Sequence, residues 1–165
     1  MEQVTFKISE SFKESSQKAF LIHSKTIAQL LPDADIQHVG STAIPNCLTK
    51  GDLDIQVRVN ANNFPLAVRE LSKIYDLNEG SINTEYFRAF KNDREIPPLG
   101  IQLTVINTEF DIFWKFREVL LHSRIYREEY DSLKKRYEGK SMVEYRKEKN
   151  NFFDWLTSTP EFNKL

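Results

Sequence analysis

The segment Asp52-Leu53-Asp54-Ile55-Gln56-Val57-Arg58-Val59 constrains this chain more than any other. Apolar and polar residues alternate through it without a break, and a period of two is the signature of a strand with two unlike faces. Leu53, Ile55, Val57 and Val59 need a hydrophobic layer against them, so the fold must contain a sheet with helices packed on at least one side. Asp52, Asp54, Gln56 and Arg58 emerge on the other side. Residues i and i+2 of a strand stand with Cα atoms about 6.5–7 Å apart. Two carboxylates at that separation can converge on one hard cation. Mg²⁺ takes oxygen ligands, usually one or two of them carboxylates, and fills its shell with water and substrate phosphate. An acidic pair on an ordinary solvated strand has the same spacing, so a second element is needed to make the pattern specific.

That element lies upstream. Ile36 to Val39 reads as a short strand, and it ends in the turn Gly40-Ser41-Thr42, ten residues before Asp52. Glycine lets backbone approach a phosphate closely, and N–H groups at a turn entering a helix form an anion site. Ser41 and Thr42 add hydroxyl donors. Three basic residues join the expectation. Lys50 precedes the acidic strand, and Arg88 sits in an aromatic-flanked strand. Lys149 occupies the apolar stripe between Tyr145 and Phe152, where an ammonium needs water or an anion. Asp52 and Asp54 are thus the candidate catalytic and metal-binding pair, holding Mg²⁺ or Mn²⁺. Gly40, Ser41, Thr42, Lys50, Arg88 and Lys149 are the candidate phosphate-binding set. The plainer alternatives are a tight turn that needs glycine, a solvated acidic pair and a snorkelling lysine.

The flanking segments frame this centre. Ser11 and Glu14 predict a capping box on a helix over about 11–31, ended by Pro32. His23 lies near its apolar stripe and reads as a core histidine. A helix is expected over 64–74 and strands over 86–90 and 101–106, with a polar, proline-bearing loop over 92–100. After Asn107 the apolar spacing turns helical through three further segments, in which Tyr126, Tyr130 and Tyr137 read as packing residues. The expected architecture is α+β in one domain spanning 1–165: a mixed sheet core over about 34–107 with flanking helices, then a C-terminal helical cluster over about 109–158. Lys and Arg number 23 against 24 Asp and Glu, a net charge of −1, so no overall field draws in a nucleic acid or an anionic membrane. No window approaches the ~20 apolar residues of a membrane span. Cys47 is the only cysteine, which rules out an internal disulfide and suits a reducing, cytoplasmic setting.

Gly-Ser followed by an Asp-hydrophobic-Asp strand is similar to the signature of the DNA polymerase β-like nucleotidyltransferase superfamily. The run His38-Val39-Gly40-Ser41-Thr42-Ala43-Ile44-Pro45, with Asp54-Ile55-Gln56-Val57, resembles the GrpB family more closely, also called UPF0157. The likeness continues through Phe116-Arg117, Tyr130 with Leu133-Lys134, and Tyr145 with Lys149. It implies a nucleotidyltransferase fold, a nucleoside triphosphate, and an unidentified small-molecule or RNA acceptor. A catalytically inactive nucleotide- or phosphate-binding module of the same fold is the alternative. Two departures stand out. Lys50-Gly51-Asp52 replaces the family's usual Lys-Pro-apolar approach to its Asp, which brings this chain nearer the two-carboxylate pattern. Gln102 and Thr104 fall where the family usually carries His-hydrophobic-His. The superfamily usually needs a third carboxylate near that strand, to deprotonate or help position the attacking hydroxyl; Gln102 and Thr104 cannot act as that base, and Glu85 and Asp93 are candidates only if the neighbouring strand or loop turns them inward.

Overall fold

The computed structural model describes residues 1–165. Its centre is a five-stranded mixed sheet in the order β2-β4-β7-β6-β5. The strands are β2 (Asp35–Val39), β4 (Leu53–Val59), β5 (Asp76–Leu77), β6 (Phe87–Asn92) and β7 (Leu99–Val105). β4 and β7 run parallel, and the other pairs are antiparallel. A separate two-stranded ribbon joins β1 (Lys7–Ile8) to β3 (Leu48–Thr49).

The two faces of the sheet are covered differently. Leu53, Ile55, Val57 and Val59 are buried against α1 (Lys13–Leu30) and α2 (Phe64–Ser72), with Ile27, Phe64, Ala67 and Leu71 from the helices and Phe90, Ile101 and Leu103 from β6 and β7. Full burial of each such aliphatic side chain contributes about 1.5–3 kcal/mol, so this layer supplies the main driving force. The opposite face meets the chain's second half: α3 (Phe113–His122), α4 (Arg124–Tyr137), α5 (Met142–Leu156) and the short α6 (Pro160–Asn163). These helices share a core of Ile44, Val119, Leu120, Tyr130, Leu133, Leu156 and Phe162. Ser123 separates α3 from α4 and caps α4, its hydroxyl accepting from the Tyr126 N–H.

The second face is fastened by polar contacts. Gln56 and Thr104 are fully buried and hydrogen-bonded to each other at 3.0 Å. Arg58 grips the buried Asp111 through two bonds of 2.7 Å and reaches Asp35 with a third. Asp111 also accepts from Gln56 and from the Asn107 N–H, while the Gln56 carbonyl accepts from the Trp114 N–H. Every charged or amide group in this network is matched, as burial requires. The start of α3 is thereby fixed to β4 two residues beyond Asp54.

Several boundaries differ from expectation. Residues 9–12 form a 3-10 turn, and α1 begins at Lys13 with Phe12 at its N-cap and no side-chain cap, so Ser11 and Glu14 form no capping box. His23 is the core histidine expected, its Nδ1 2.9 Å from the Tyr75 hydroxyl. The ribbon, β5 and α6 have no counterpart in the sequence reading; at two to four residues each, they are too short to show a period. No helix is long and apolar enough to cross a membrane.

Candidate active site

A cavity of about 390 Å³ lies between the second sheet face and the C-terminal helices. Asp52 and Asp54 enter it from β4 and its approach, Gly40 and Ser41 from the turn after β2, Gln102 from β7, and Lys50 from the loop after β3. Arg117 and Phe116 come from α3, Lys134 and Tyr130 from α4, and Tyr145, Lys149, Phe153 and Asp154 from α5. Five of the eight residues nominated from sequence thus share one wall with a helical roof opposite.

Asp54 is the centre of the arrangement. β2 and β4 pair Val39 with Asp54, and β4 and β7 pair Asp54 with Gly100, so the carboxylate stands between two glycines. A Cβ on Gly40 would lie 2.4 Å from Asp54 Oδ2, and one on Gly100 would lie 3.0 Å from Oδ1. Gly40 also has φ +77°, a left-handed conformation that disfavours any side chain. Both glycines are therefore needed to seat this carboxylate. Burial pushes the Asp54 pKa up to about 6, and the neighbouring Asp52 charge adds to the rise; Lys149, Lys50 and a hydrogen bond from Gln102 hold it back. Asp52 is less enclosed and pairs with Lys50 at 3.1 Å.

The Gln102 amide helps to hold the Asp54 pKa down, while its Oε1 is buried without any partner. A buried orphan acceptor is uncommon and marks a place where a ligand or ion would complete the bonding. Two carboxylates and an amide oxygen form a hard-oxygen donor set suited to Mg²⁺ or Mn²⁺. No cluster of three or more His, Cys, Asp or Glu side chains adds to it.

Lys149 projects from α5 into the same space. Desolvation lowers its pKa, with the Asp54 carboxylate opposing that fall. The other cavity cations already have partners: Lys50 has Asp52, Arg117 has Glu118 and the His38 carbonyl, and Lys134 has Asp131, Cys47 Sγ and the Leu48 carbonyl. Lys134 is fully buried and lies over the Tyr130 ring, so it holds the segment after the Gly40 turn against α4. Cys47 is buried beside it, with its thiol pushed up to about 11 by desolvation. That is a structural cysteine.

Four nominated residues are placed otherwise than expected. Arg88 shares a strand face with Phe90, so its guanidinium lies over the Phe64 ring on the α2 side of the sheet, away from the cavity. Thr42 is buried, donates to the Asp52 carbonyl and meets His38 Nε2 at 2.9 Å; it props the turn and does not line the cavity. The turn leads into a 3-10 helix of only three residues, Ser41–Ala43. It has no helix macrodipole to offer an anion. Ser41 keeps its place on the wall, with its hydroxyl donating to Thr49 Oγ1 at 2.7 Å. Glu85 and Asp93 are exposed and lie outside the cavity. Asp154 is the third carboxylate lining the cavity, exposed on α5 in the helical roof. Neither Asp154 nor Gln102's orphaned oxygen was signalled by spacing, because each depends on how distant elements pack.

Comparison with known proteins follows the same lines. The sequence matches the family model described as GrpB protein over residues 9–159. A UPF0157 protein of Vibrio cholerae serotype O1 is 30% identical over 154 residues, covering 93% of this chain and 81% of that protein. Among solved structures, the conserved protein GrpB from Enterococcus faecalis superposes with a TM-score of 0.62 at 20% identity, over 79% of this chain and 81% of that one. Cid1, described as an RNA terminal uridylyl transferase, superposes with a TM-score of 0.54 at 14% identity, over 78% of this chain but only 40% of its own. A mutant of the Cid1 poly(U) polymerase bound to MgATP gives 0.50 at 14% identity, over 78% and 41%. The shared feature at these identities is the nucleotidyltransferase-like fold.

Proposed function

This chain belongs to the GrpB family, and on that premise we propose that it is a metal-dependent nucleotidyltransferase. It would transfer a nucleotidyl group from a nucleoside triphosphate to an acceptor. The observation that carries the reading is the Asp54 carboxylate, set between Gly40 and Gly100, raised in pKa, and flanked by Asp52 and the unpartnered Gln102 oxygen in one cavity. A cation held by Asp52, Asp54 and Gln102 Oε1 would supply charge stabilisation for the reacting phosphate. Ser41 and Lys50 stand on the same wall, where they can orient the triphosphate, and Lys149 faces it from α5. Attack of an acceptor oxygen on the α-phosphorus, in line with the leaving pyrophosphate, builds negative charge that fixed donors in an enclosed site stabilise best. The fold's likeness to Cid1, one form of which is bound to MgATP, is consistent with a magnesium nucleotide as ligand.

A second reading, nucleotide binding without turnover, is favoured by one observation: no carboxylate stands beside the Asp pair on β7, where Gln102 is found. Calorimetric titration with a nonhydrolysable nucleotide, with and without Mg²⁺, paired with a pyrophosphate-release assay, tests both. The transferase reading expects Mg²⁺-dependent binding, abolished by Asp54→Asn, together with pyrophosphate release. Binding insensitive to Asp54→Asn would refute the site.

A further inference from the structure

We propose that the acceptor for this site is a phosphate monoester, attacking through an oxygen that is already ionised. The inference rests on the nucleotidyl-transfer reading above and names its second substrate. Its first support is the missing proton acceptor. A hydroxyl acceptor must lose a proton in the transition state. Gln102 stands on β7 on the same face as Asp54, and an amide cannot take a proton at neutral pH. Asp52 is paired with Lys50, and Asp54 is seated between Gly40 and Gly100. Asp154 is exposed on α5 and forms no three-membered cluster with the pair. His38 opens onto a separate cleft with Thr42. A phosphate oxygen needs none of these, because it arrives without a proton to lose.

The second support is the uncommitted charge. Lys50, Arg117 and Lys134 each have an ion-pair partner, whereas Lys149 has neither an ion pair nor a hydrogen bond. Lys149 is half-buried; a partly desolvated ammonium without a partner is unfavourable, and an anion beside it removes the penalty. Lys149 reaches the cavity from the helical roof, so an anion bound to it approaches the Asp54 wall from the opposite side, as an attacking group must. The third support is size. About 390 Å³ is near the lower end for small-ligand pockets. A net charge of −1 provides no field for a polynucleotide, whose binding draws on many phosphate contacts.

The step balances without a proton or any further reactant. An ionised acceptor oxygen forms a new P–O–P bond to the α-phosphorus. The bond from the α-phosphorus to the bridging oxygen breaks, and its electron pair leaves with pyrophosphate. One phosphoanhydride is exchanged for another.

Inorganic phosphate is the simplest probe, because its nucleotidylation yields a nucleoside diphosphate. The full chain is incubated with ATP, CTP, GTP or UTP, Mg²⁺, and either ³²P-orthophosphate or glycerol. The expected result is ³²P in the β-phosphorus of the diphosphate, matched by pyrophosphate, with no glyceryl nucleotide. Lys149→Ala should raise the KM for phosphate about tenfold or more, the effect of one charged hydrogen bond, and leave the KM for nucleotide far less changed; Lys149→Arg should recover most of it. Glyceryl nucleotide with no label transfer would overturn the proposal and identify a hydroxyl acceptor. Binding of α,β-methylene nucleotide on the same sample separates the remaining outcomes. Nucleotide bound with Mg²⁺ but no product from any acceptor overturns the phosphate acceptor and leaves the binding site standing. No nucleotide binding overturns both.

Discussion

Replacing Asp54 with Asn should make the protein more stable while removing its metal response. The carboxyl group titrates near 3.8 in an unfolded chain and is pushed up to about 6 in the cavity, chiefly by desolvation. Between these values the folded state holds more protons than the unfolded one, so stability falls as pH rises through that window. A difference of roughly two pKa units corresponds to about 3 kcal/mol at pH 8. Asn imitates the protonated carboxyl, so Asp54→Asn should exceed the native chain by up to about 3 kcal/mol at pH 8. For a domain of this size that is about 6–12 °C in Tm. At about pH 2.5 and below the two should coincide, since Asp54 is then protonated in both folded and unfolded native chain. Adding Mg²⁺ at 100 times its Kd should stabilise the native chain by about 2.7 kcal/mol at pH 8 and leave the variant unmoved. The assay is urea unfolding at a series of pH values with and without Mg²⁺. A variant less stable than the native chain at pH 8, or one that still gains from Mg²⁺, would refute the placement of this carboxylate.

Gly40→Ala should be destabilising by at least about 1–3 kcal/mol, because its φ of +77° is strained for alanine and its Cβ would meet Asp54 Oδ2 at 2.4 Å; denaturation and Mg²⁺ titration should both report the displaced carboxylate. Asp111→Ala should cost about 3–5 kcal/mol, since it strands Arg58 and the Gln56 amide behind the site, and a shift of the urea midpoint at constant slope measures it. Arg88→Met should leave nucleotide and metal affinity unchanged in calorimetry, because Arg88 lies on the α2 face of the sheet.

The strand alternation in Leu53–Val59 located the acidic pair because it is a local property: parity along one strand decides which side chains share a face. Parity does not say what covers each face. Gln56 has the sequence look of a solvent-facing residue, yet it is fully buried, because the segment 107–114 folds back onto β4 from 50 residues downstream. Arg88 failed for a related reason. Its strand was recognised, but the register that sends Phe87 towards Phe110 and Phe113 sends Arg88 towards Phe64. Lys149 was legible through a conflict, a charged residue inside an apolar helical stripe, and such conflicts are where tertiary structure or function overrides local pattern. Gln102 was visible only as the absence of a base. Its orphaned oxygen needed coordinates to be seen.

Three unfavourable features meet in one cavity. Asp54 is ionised at neutral pH at the expense of stability, Gln102 carries an unpartnered buried oxygen, and Lys149 an unpartnered ammonium. Each could be relieved alone by a common substitution: Asn at 54, Leu at 102, Met at 149. A scaffold selected for stability alone would lose them independently. Their relief is shared only if a cation lies against Asp52, Asp54 and Gln102 Oε1 while an anion lies against Lys149. A metal-bound nucleotide supplies the cation and an acceptor phosphate supplies the anion, which is why the strain points to a reaction on phosphate and not to a structural ion alone.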